Sequence, residues 1–574
     1  MPMKGWRGKI LTVDLNSGRT GTLTPALRAY TEWIGGRGLA GSLLFPEVTR
    51  HWRDPLLPLI FMTGPLVDTI SPTPGRMTVM SRSPLTGTIC DASVGGGFGV
   101  QLKRAGWDGI LITGRSSRLC AIDIHDSRVE IVPVPEFSAM SPAEIRSRLG
   151  KAGSIAAVGR AAENGVRFAG IIVDEHYFAG RGGLGLLMAE RNLKYIRVQG
   201  NEPTPVCDAG ELALARRDIL RLSAASPVLQ GELGIQKFGT AALYDLMHQR
   251  RMMPTANFRQ TCFADAERLN APSLHHRYQP HGSGCAGCHI RCKKQDTQSR
   301  SLPEFESLSH FTALLENRDM ETVMAANQLC GEAGMDTIEA AATLACHFEI
   351  LGRRPQADEI VDLLAAMADG TRRDLGQGAS RLALAAGHPE MAMTVKRQSL
   401  PAYDPRGAYG MALAYAVSTR GGCHLRAYPI SHEILRKPVA TNRFSFSGKA
   451  RMIKIAEDQN ATIDSLTACK FMFFAATLEE YARVFSATTG QETNAQDLQS
   501  CGERIVNRER DMNRANGFTE KDDDLPARFF REAGSSGGGF NIPPLDRNAF
   551  LAARETYYRI RGNRPAEKPD EDTA

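Results

Sequence analysis

Cys285, Cys288 and Cys292 stand close together in the segment GSGCAGCHIRCKK, with two and then three residues between them. Thiolates at this spacing grip iron or zinc. A compact triplet plus one distant cysteine suits a [4Fe–4S] cube, with the fourth ligand pinning the cluster to another part of the fold. Cys469, in TIDSLTACKF, is the candidate for that ligand; Cys330 and Cys423 rival it on spacing alone. A zinc site completed by His281 or His289 is the other reading of the same spacing. Zinc sites usually pair two Cys-x-x-Cys units or add a histidine pair. No second such unit occurs here, which tilts the balance towards iron–sulfur.

Two glycine-rich turns come next. Gly180, Gly182 and Gly185 form G-x-G-x-x-G in FAGRGGLGLL, and Gly95, Gly96, Gly97 and Gly99 crowd ASVGGGFGVQLKRAG. Glycines let backbone N–H groups approach an anion, and a helix start adds positive potential. Arg181 and Arg76 could add charge-assisted bonds to phosphate. A Rossmann reading needs a strand running straight into the turn and an acid downstream. Here the polar DEHY intervenes and Glu202 is a poor fit, so NAD is not favoured. Two glycine clusters with arginines suit a ligand bearing more than one phosphate.

A third group of residues could carry proton chemistry. RGGCHLRAY places His424 between Arg420 and Arg426, and LPEFESLSHF carries Glu304 and Glu306 just after the cysteine triplet. Asp336 follows Gly334, a plausible helix C-cap, and precedes TIEAAA, so an N-cap role competes with a functional one. Asp464 could cap the apolar SLTACKFMFF in the same way. The scattered Cys90, Cys120, Cys207, Cys262, Cys346 and Cys501 read as small buried side chains.

The elements that must hold these residues change style along the chain. At 574 residues it is too long for one core, and two to four domains are expected. Up to about residue 205 the pattern is strand-rich: GKILTVDL alternates, LIFMTG, GRMTVMS and GILITG follow, and LCAIDIHDSRVEIVPV reads as a hairpin. One short helix, SPAEIRSRLG, breaks the run, with Ser141 at its N-cap and Glu144 placed for a capping box. After the proline-rich NEPTPV the chain turns helical, and LPAYDPRGAYG opens a third, again helical, region. The fold class expected is α+β: a β-rich domain over residues 1–205, then helical domains over 206–392 and 393–574. The tail from Arg564 is polar and should fray.

A composition of 42% hydrophobic and 23% charged residues is that of an ordinary globular protein. The net charge of +6 is small for this length. It argues against a dedicated nucleic-acid binder and suits brief docking with an acidic partner. The N-terminus shows no signal-peptide pattern, and no apolar run is long enough to span a bilayer, so a cytoplasmic location with reduced cysteines is expected.

Eight segments together resemble one family. GWRGKILTVDL, GPLVDTISPTPGRMTV, SPLTGTICDASVGGGFG, AGRGGLG, CAGCHIRC, LPAYDPRG, RGGCH and IDSLTAC occur in the order found in tungsten-containing aldehyde:ferredoxin oxidoreductases. The resemblance implies a tungsten or molybdenum atom held by two pterin dithiolenes on the β-rich domain. It implies a neighbouring [4Fe–4S] cluster on Cys285, Cys288, Cys292 and Cys469. By position, Arg76 should lie between cluster and pterin. The carbonyls of Ser93 and Phe178 would help hold a magnesium ion bridging the pterin phosphates, and Gly95 and Gly180 would make phosphate-side contacts. Asp336 and Asp464 match pterin-binding acids, Arg426 a basic cofactor contact, and Glu306 with His424 the polar pair beside the metal.

The implied reaction oxidises an aldehyde to a carboxylic acid. The metal or His424 would polarise the carbonyl and Glu306 handle the proton. Electrons would leave through the cluster to a ferredoxin or an iron–sulfur partner subunit. Several positions depart from the family pattern: Ser93 replaces the usual Asn, Tyr177 an Arg, Gly331 an Asp, and Thr467–Ala468 a Gly-Leu pair. AANQ at 325–328 lacks the Glu-x-x-His that supplies a bridging iron between subunits in one branch, so any oligomer is expected without that iron. Three further readings stay open. One is a family member driving another low-potential reduction, of an aromatic thioester or a carboxylic acid, inside a multi-subunit complex. The others are a tungsten-free electron-transfer protein and a zinc-stabilised NAD dehydrogenase.

Overall fold

A computed structural model describes residues 3–562; the tail expected to fray from Arg564 lies outside them. The N-terminal region holds two six-stranded sheets. The first is built from Ile10–Asp14 (β1), Arg19–Leu23 (β2), Leu59–Met62 (β3), Met77–Arg82 (β4), Ile89–Val94 (β5) and Gly109–Thr113 (β6), in the order β2-β1-β6-β3-β4-β5. The second uses Cys120–His125 (β7), Arg128–Pro133 (β8), Ser154–Ala157 (β9), Ile171–Val173 (β10), Tyr177–Ala179 (β11) and Leu193–Gln199 (β12), in the order β11-β10-β9-β12-β7-β8. Each sheet has one parallel pair, β1 with β6 and β12 with β7, and is otherwise antiparallel.

The expected hairpin is β7–β8, and Ser141 and Glu144 close a capping box on the helix Pro142–Leu149. That helix is not alone in the β-rich region. Leu27–Trp33 and Gly36–Leu44 are also helical, although three glycines in the second dilute its helical signal in sequence.

Beyond residue 205 the described chain is mainly helical, including Met320–Ala333, Thr337–Ile350, Ala357–Ala368 and Lys449–Leu466. Gly334 ends the first of these in a left-handed conformation, and the Asp336 carboxylate caps the second by accepting from Ile338 N at 3.1 Å. Asp464 does not cap a helix. It lies inside Lys449–Leu466, which runs on until Thr467 turns left-handed. The apolar run after Asp464 is therefore split between a helix end and a short 3-10 turn, Lys470–Phe474.

That helix end is seated directly on the first sheet. A Cβ at Gly36 would lie 2.2 Å from Asp464 O, and one at Gly64 would lie 2.5 Å from Ser465 O. Only glycine at both places lets the two backbones meet. One apolar core then runs from Trp6 through Leu308 to Phe550, packing all three sequence regions together.

Candidate functional site

The cysteine triplet sits on a loop after the small strand His281–Ser283, laid against the glycine turn that follows β5. Ala286 N donates to Gly96 O at 3.3 Å, and a Cβ at Gly95 would fall 2.2 Å from Cys285 Sγ. Gly95 thus makes room for a cysteine. Cys469 arrives from the end of Lys449–Leu466, its N–H donating to Thr73 Oγ1 at 3.1 Å. Its sulfur interacts electrostatically with Cys285, Cys288 and Cys292. Burial pushes the Cys469 thiol up to about 11 and raises Cys288 and Cys292 too.

Arg76 supplies the opposing charge. It donates from Nε to Ser93 Oγ at 3.0 Å and from Nη2 to Ser93 O at 2.8 Å. Burial disfavours its charge, but the neighbouring sulfurs of Cys469 and Cys285 favour it more strongly, and Arg76 is held above its usual value. The rival ligands lie elsewhere: Cys330 is buried within Met320–Ala333, and Cys423 accepts from Arg420 Nη2 at 2.9 Å. His289 Nε2 is engaged by Ser223 Oγ at 2.9 Å, and His281 is exposed. Among the described residues no three His, Cys, Asp or Glu side chains converge tightly enough for a single metal ion. A tetrahedral zinc site would need sulfurs about 3.8 Å apart.

The second centre is the pair Glu306 and His424. Glu306 lies in the first turn of the helix Phe305–Ser309, and its Oε2 accepts from Ala402 N at 2.7 Å. His424 Nε2 stands 3.4 Å from Glu306 Oε1. This is not an ion pair. Burial pushes Glu306 up to about 8, with Asp336 and Cys423 adding to it, so the acid is protonated at neutral pH. Burial also drives His424 well below its usual value, helped by Arg181, Arg420 and Lys470. Tyr403 stacks near His424 at a ring separation of 5.5 Å, and Tyr403 and Tyr428 share a hydroxyl contact of 3.2 Å. Glu304 does not join the pair. It meets Lys293 at 2.5 Å and faces outward beside Cys292.

Around this pair lies a shell of buried polar atoms that make no hydrogen bond to a described protein group, although Arg181 Nε and Asp336 Oδ2 face each other as an ion pair. It includes Arg181 Nε, Glu306 Oε1, His310 Nδ1, Asp336 Oδ2, Ser399 Oγ, His424 Nδ1, Arg426 Nε and Asp464 Oδ1. Buried polar groups are almost always paired. Such a concentration reads as the lining for a large polar ligand, and it contains Arg181, Asp336, Asp464 and Arg426 of the expected cofactor contacts. Two similar arms hold it. Arg181 Nε lies 3.1 Å from Asp336 Oδ2, and Arg181 Nη2 donates to Ser399 O at 2.6 Å. Lys470 Nζ lies 2.8 Å from Asp464 Oδ2, with Arg37 Nη1 at 3.4 Å.

Other expected contacts differ in detail. Ser93 O is taken by Arg76, as above. Gly97 N donates to Asp174 Oδ2 at 2.7 Å, so one glycine turn is closed by a carboxylate of the chain itself. Tyr177 lies against the glycine turn, 3.1 Å from where a Gly95 Cβ would stand. Phe178 packs its ring into the space a Gly180 Cβ would need, at 2.5 Å. Among the scattered cysteines Cys90, Cys120, Cys346 and Cys501 are buried, but Cys207 is exposed and Cys262 half-buried, because both fall in irregular segments over the surface.

Several residues of the site carried no signal that the sequence reading used. Asp91 pairs with Arg426, Glu509 with Arg37 at 2.5 Å, and Thr419 Oγ1 donates to Glu509 at 2.6 Å. Lys293 and Lys470 did leave one: each directly follows a cysteine of the group, Cys292 and Cys469.

Comparison with known proteins shows the family. The model of the aldehyde ferredoxin oxidoreductase N-terminal domain matches residues 10–200, and that of its domains 2 and 3 matches residues 215–574. The chain belongs to the aldehyde ferredoxin oxidoreductase family. It is 35% identical to the tungsten-containing aldehyde ferredoxin oxidoreductase of Pyrococcus furiosus, over 98% of this chain and 96% of that one. The Thermococcus kodakarensis protein of the same description is also 35% identical, with the same coverage. An aliphatic sulfonate oxidoreductase WOR-like subunit of Pyrococcus furiosus is 25% identical over 92% of this chain and 90% of its own. Among solved structures, a chain of the active-site complex BamBC of benzoyl coenzyme A reductase superposes with a TM-score of 0.83. At 19% identity it covers 98% of this chain and 95% of its own, and it is a likeness of fold.

Proposed function

We propose that this family member oxidises an aldehyde to a carboxylic acid and passes the electrons through a [4Fe–4S] cluster to a ferredoxin or an iron–sulfur partner subunit. The observation that carries the reading is the neutral Glu306–His424 pair set within the shell of unsatisfied buried polar atoms, with the four cysteines gathered round Arg76 nearby. The shell fits a bis-pterin cofactor bearing tungsten or molybdenum. Arg181, Asp336, Asp464 and Arg426 would hold it, and Ser93, Gly95, Tyr177, Phe178 and Gly180 would line its phosphate side, where a magnesium ion would sit. Bound there, the cofactor would supply the two-electron acceptor. The spread of Cys285, Cys288, Cys292 and Cys469 suits a cube better than a single zinc.

The chain's own residues would manage the proton. Glu306 starts protonated, so its carboxyl can donate to the aldehyde oxygen and take a proton back from the attacking water to give the hydrate, at a pKa suited to both directions near neutrality. The C–H bond would then break as the acid forms, its two electrons going to the bound acceptor and the released protons to solvent. His424 stays neutral and would orient that carboxyl through Nε2. This assigns the polarising role to Glu306 rather than to the metal or His424, the two groups expected from sequence. Tyr403 and Tyr428 would exclude water from the pair. No two cysteines of the described residues are joined as a disulfide. None of the described helices is long and apolar enough to cross a membrane. The division at residues 205 and 392 is kept as a proposal for the domain borders.

The test is metal analysis and an aldehyde panel on protein purified without oxygen, with a viologen dye as acceptor. Tungsten or molybdenum near one per chain together with aldehyde-dependent dye reduction is expected. Iron without either metal would favour a pure electron-transfer protein instead. A loaded protein that turns over aromatic thioesters and no aldehyde would favour the low-potential reduction.

A further inference from the structure

The cysteine loop reaches the surface at Gly287 and again at Arg291. Gly287, between Cys285 and Cys288, is exposed, and its neighbour His289 is half-buried. Gly287 packs on Pro74: a Cβ there would touch Pro74 Cγ at 2.9 Å. These residues form one wall of a groove of about 340 Å³, whose other walls come from the segment Thr69–Pro74 and from the helix Ala209–Ala224. Ile70, 51% exposed, and Leu220 line it. No acidic side chain does.

The rim is basic. Arg216 lines the groove, and its charge reaches His289. Arg217 follows on the same helix, exposed, with Arg221 one turn further on. Arg216 makes no ion pair among the described residues, while Arg217 and Arg221 share the single acid Asp218, which also meets Arg483. The nearby acids Glu211 and Asp218 are taken up by Arg483, at 2.9 and 3.0 Å. An apolar centre whose edge carries more arginines than acids is the form of a transient electrostatic docking surface.

We infer that this groove, formed by Ile70, Pro74, Leu220, Arg216, Gly287 and His289, is where a small acidic iron–sulfur protein docks to take electrons from the cluster. The inference rests on the proposed function, in that the four cysteines hold a cluster. It adds the site of exit and the sign of the partner's charge. The loop carrying Cys285 and Cys288 is itself a wall of the groove, so a docked carrier would stand next to the cluster ligands. The overall charge of +6 would help to steer an acidic partner in.

The experiment compares the loaded wild-type enzyme with R216E/R217E and I70A, using an acidic bacterial 2[4Fe–4S] ferredoxin and, separately, methyl viologen. Binding of the ferredoxin is measured by calorimetry as well as by turnover. R216E/R217E should weaken ferredoxin binding and raise its KM by about tenfold or more at low salt, and flatten the salt dependence. I70A should weaken it less. Viologen-linked oxidation should be unchanged in both. Ferredoxin affinity unchanged in R216E/R217E would overturn the docking site, and so would a changed oligomeric state in its place. Absence of viologen-linked oxidation in the loaded wild type would count against the proposed reaction, whereas the calorimetric comparison would still decide the docking site.

Discussion

Glu306 Oε1 and His424 Nε2 stand 3.4 Å apart, and neither group carries charge at neutral pH. Two residues from separate sequence regions are held in one proton inventory by burial. Ala402 N–H fixes one carboxylate oxygen and leaves the other facing the histidine. A single buried proton is therefore shared between a carboxyl that keeps it and an imidazole that does not.

Glu306→Gln removes the exchangeable proton while preserving shape. Aldehyde oxidation should fall by about 10²–10⁴-fold, with iron, tungsten and pterin content unchanged. Dye-linked rates and metal analysis on the same preparation check it. Full activity would remove Glu306 from the reaction.

The pH profile should carry the same signature. With Glu306 lifted to about 8, wild-type kcat/KM should show a limb near that pH that Glu306→Gln abolishes. Stability of the protein without cofactor should follow it. The folded state holds this proton more tightly than the unfolded chain, whose value is 4.5. The group's contribution is therefore complete below about 4.5 and lost as pH rises through about 8. Thermal melts between pH 5 and 9 should fall more steeply for wild type than for Glu306→Gln.

Cys469→Ser, Cys330→Ser and Cys423→Ser separate the three candidates for the fourth cluster ligand. The first should lower iron content and visible cluster absorption; the second should leave both unchanged, because Cys330 is enclosed in its helix. Cys423→Ser should likewise keep the iron. Iron lost from Cys330→Ser and kept in Cys469→Ser would reverse the assignment.

Asp336→Asn and Asp464→Asn test the two arms of the cofactor shell. Each should reduce pterin and tungsten content at purification while the cluster iron remains. Asp336→Ala should also lose a helix cap and about 1 kcal/mol of stability, measured by denaturant unfolding. Asp464, lying mid-helix, has no cap to lose, so its alanine variant should lack that term. It would instead leave Lys470 and Arg37 without their shared acid.

How much was legible in the sequence depends on the range of the forces involved. Cys285, Cys288 and Cys292 announce themselves because metal ligands supplied by one loop must be neighbours in sequence. The N-caps at Ser141 and Asp336 are legible for the same reason: the bond they make spans two or three residues. Asp464 misled because a polar residue before an apolar run looks the same whether it starts a helix or sits inside one. The helix Gly36–Leu44 was missed because its three glycines lower its local propensity, and one of them, Gly36, is needed for the tertiary contact with Asp464 O.

The amino-acid sequence by itself determined the class of chemistry, the α+β division of the chain and, through eight short segments in order, the family. Those rest on local patterns and on several short motifs read together in order along the chain. Only the tertiary structure decided that Glu306 holds the proton and His424 does not. It also decided that Asp91 and Glu509 neutralise Arg426 and Arg37, and that the cysteine loop opens beside a rim with more arginines than acids. Burial and long-range charge pairing set those outcomes, and both arise only when distant segments are packed out of water.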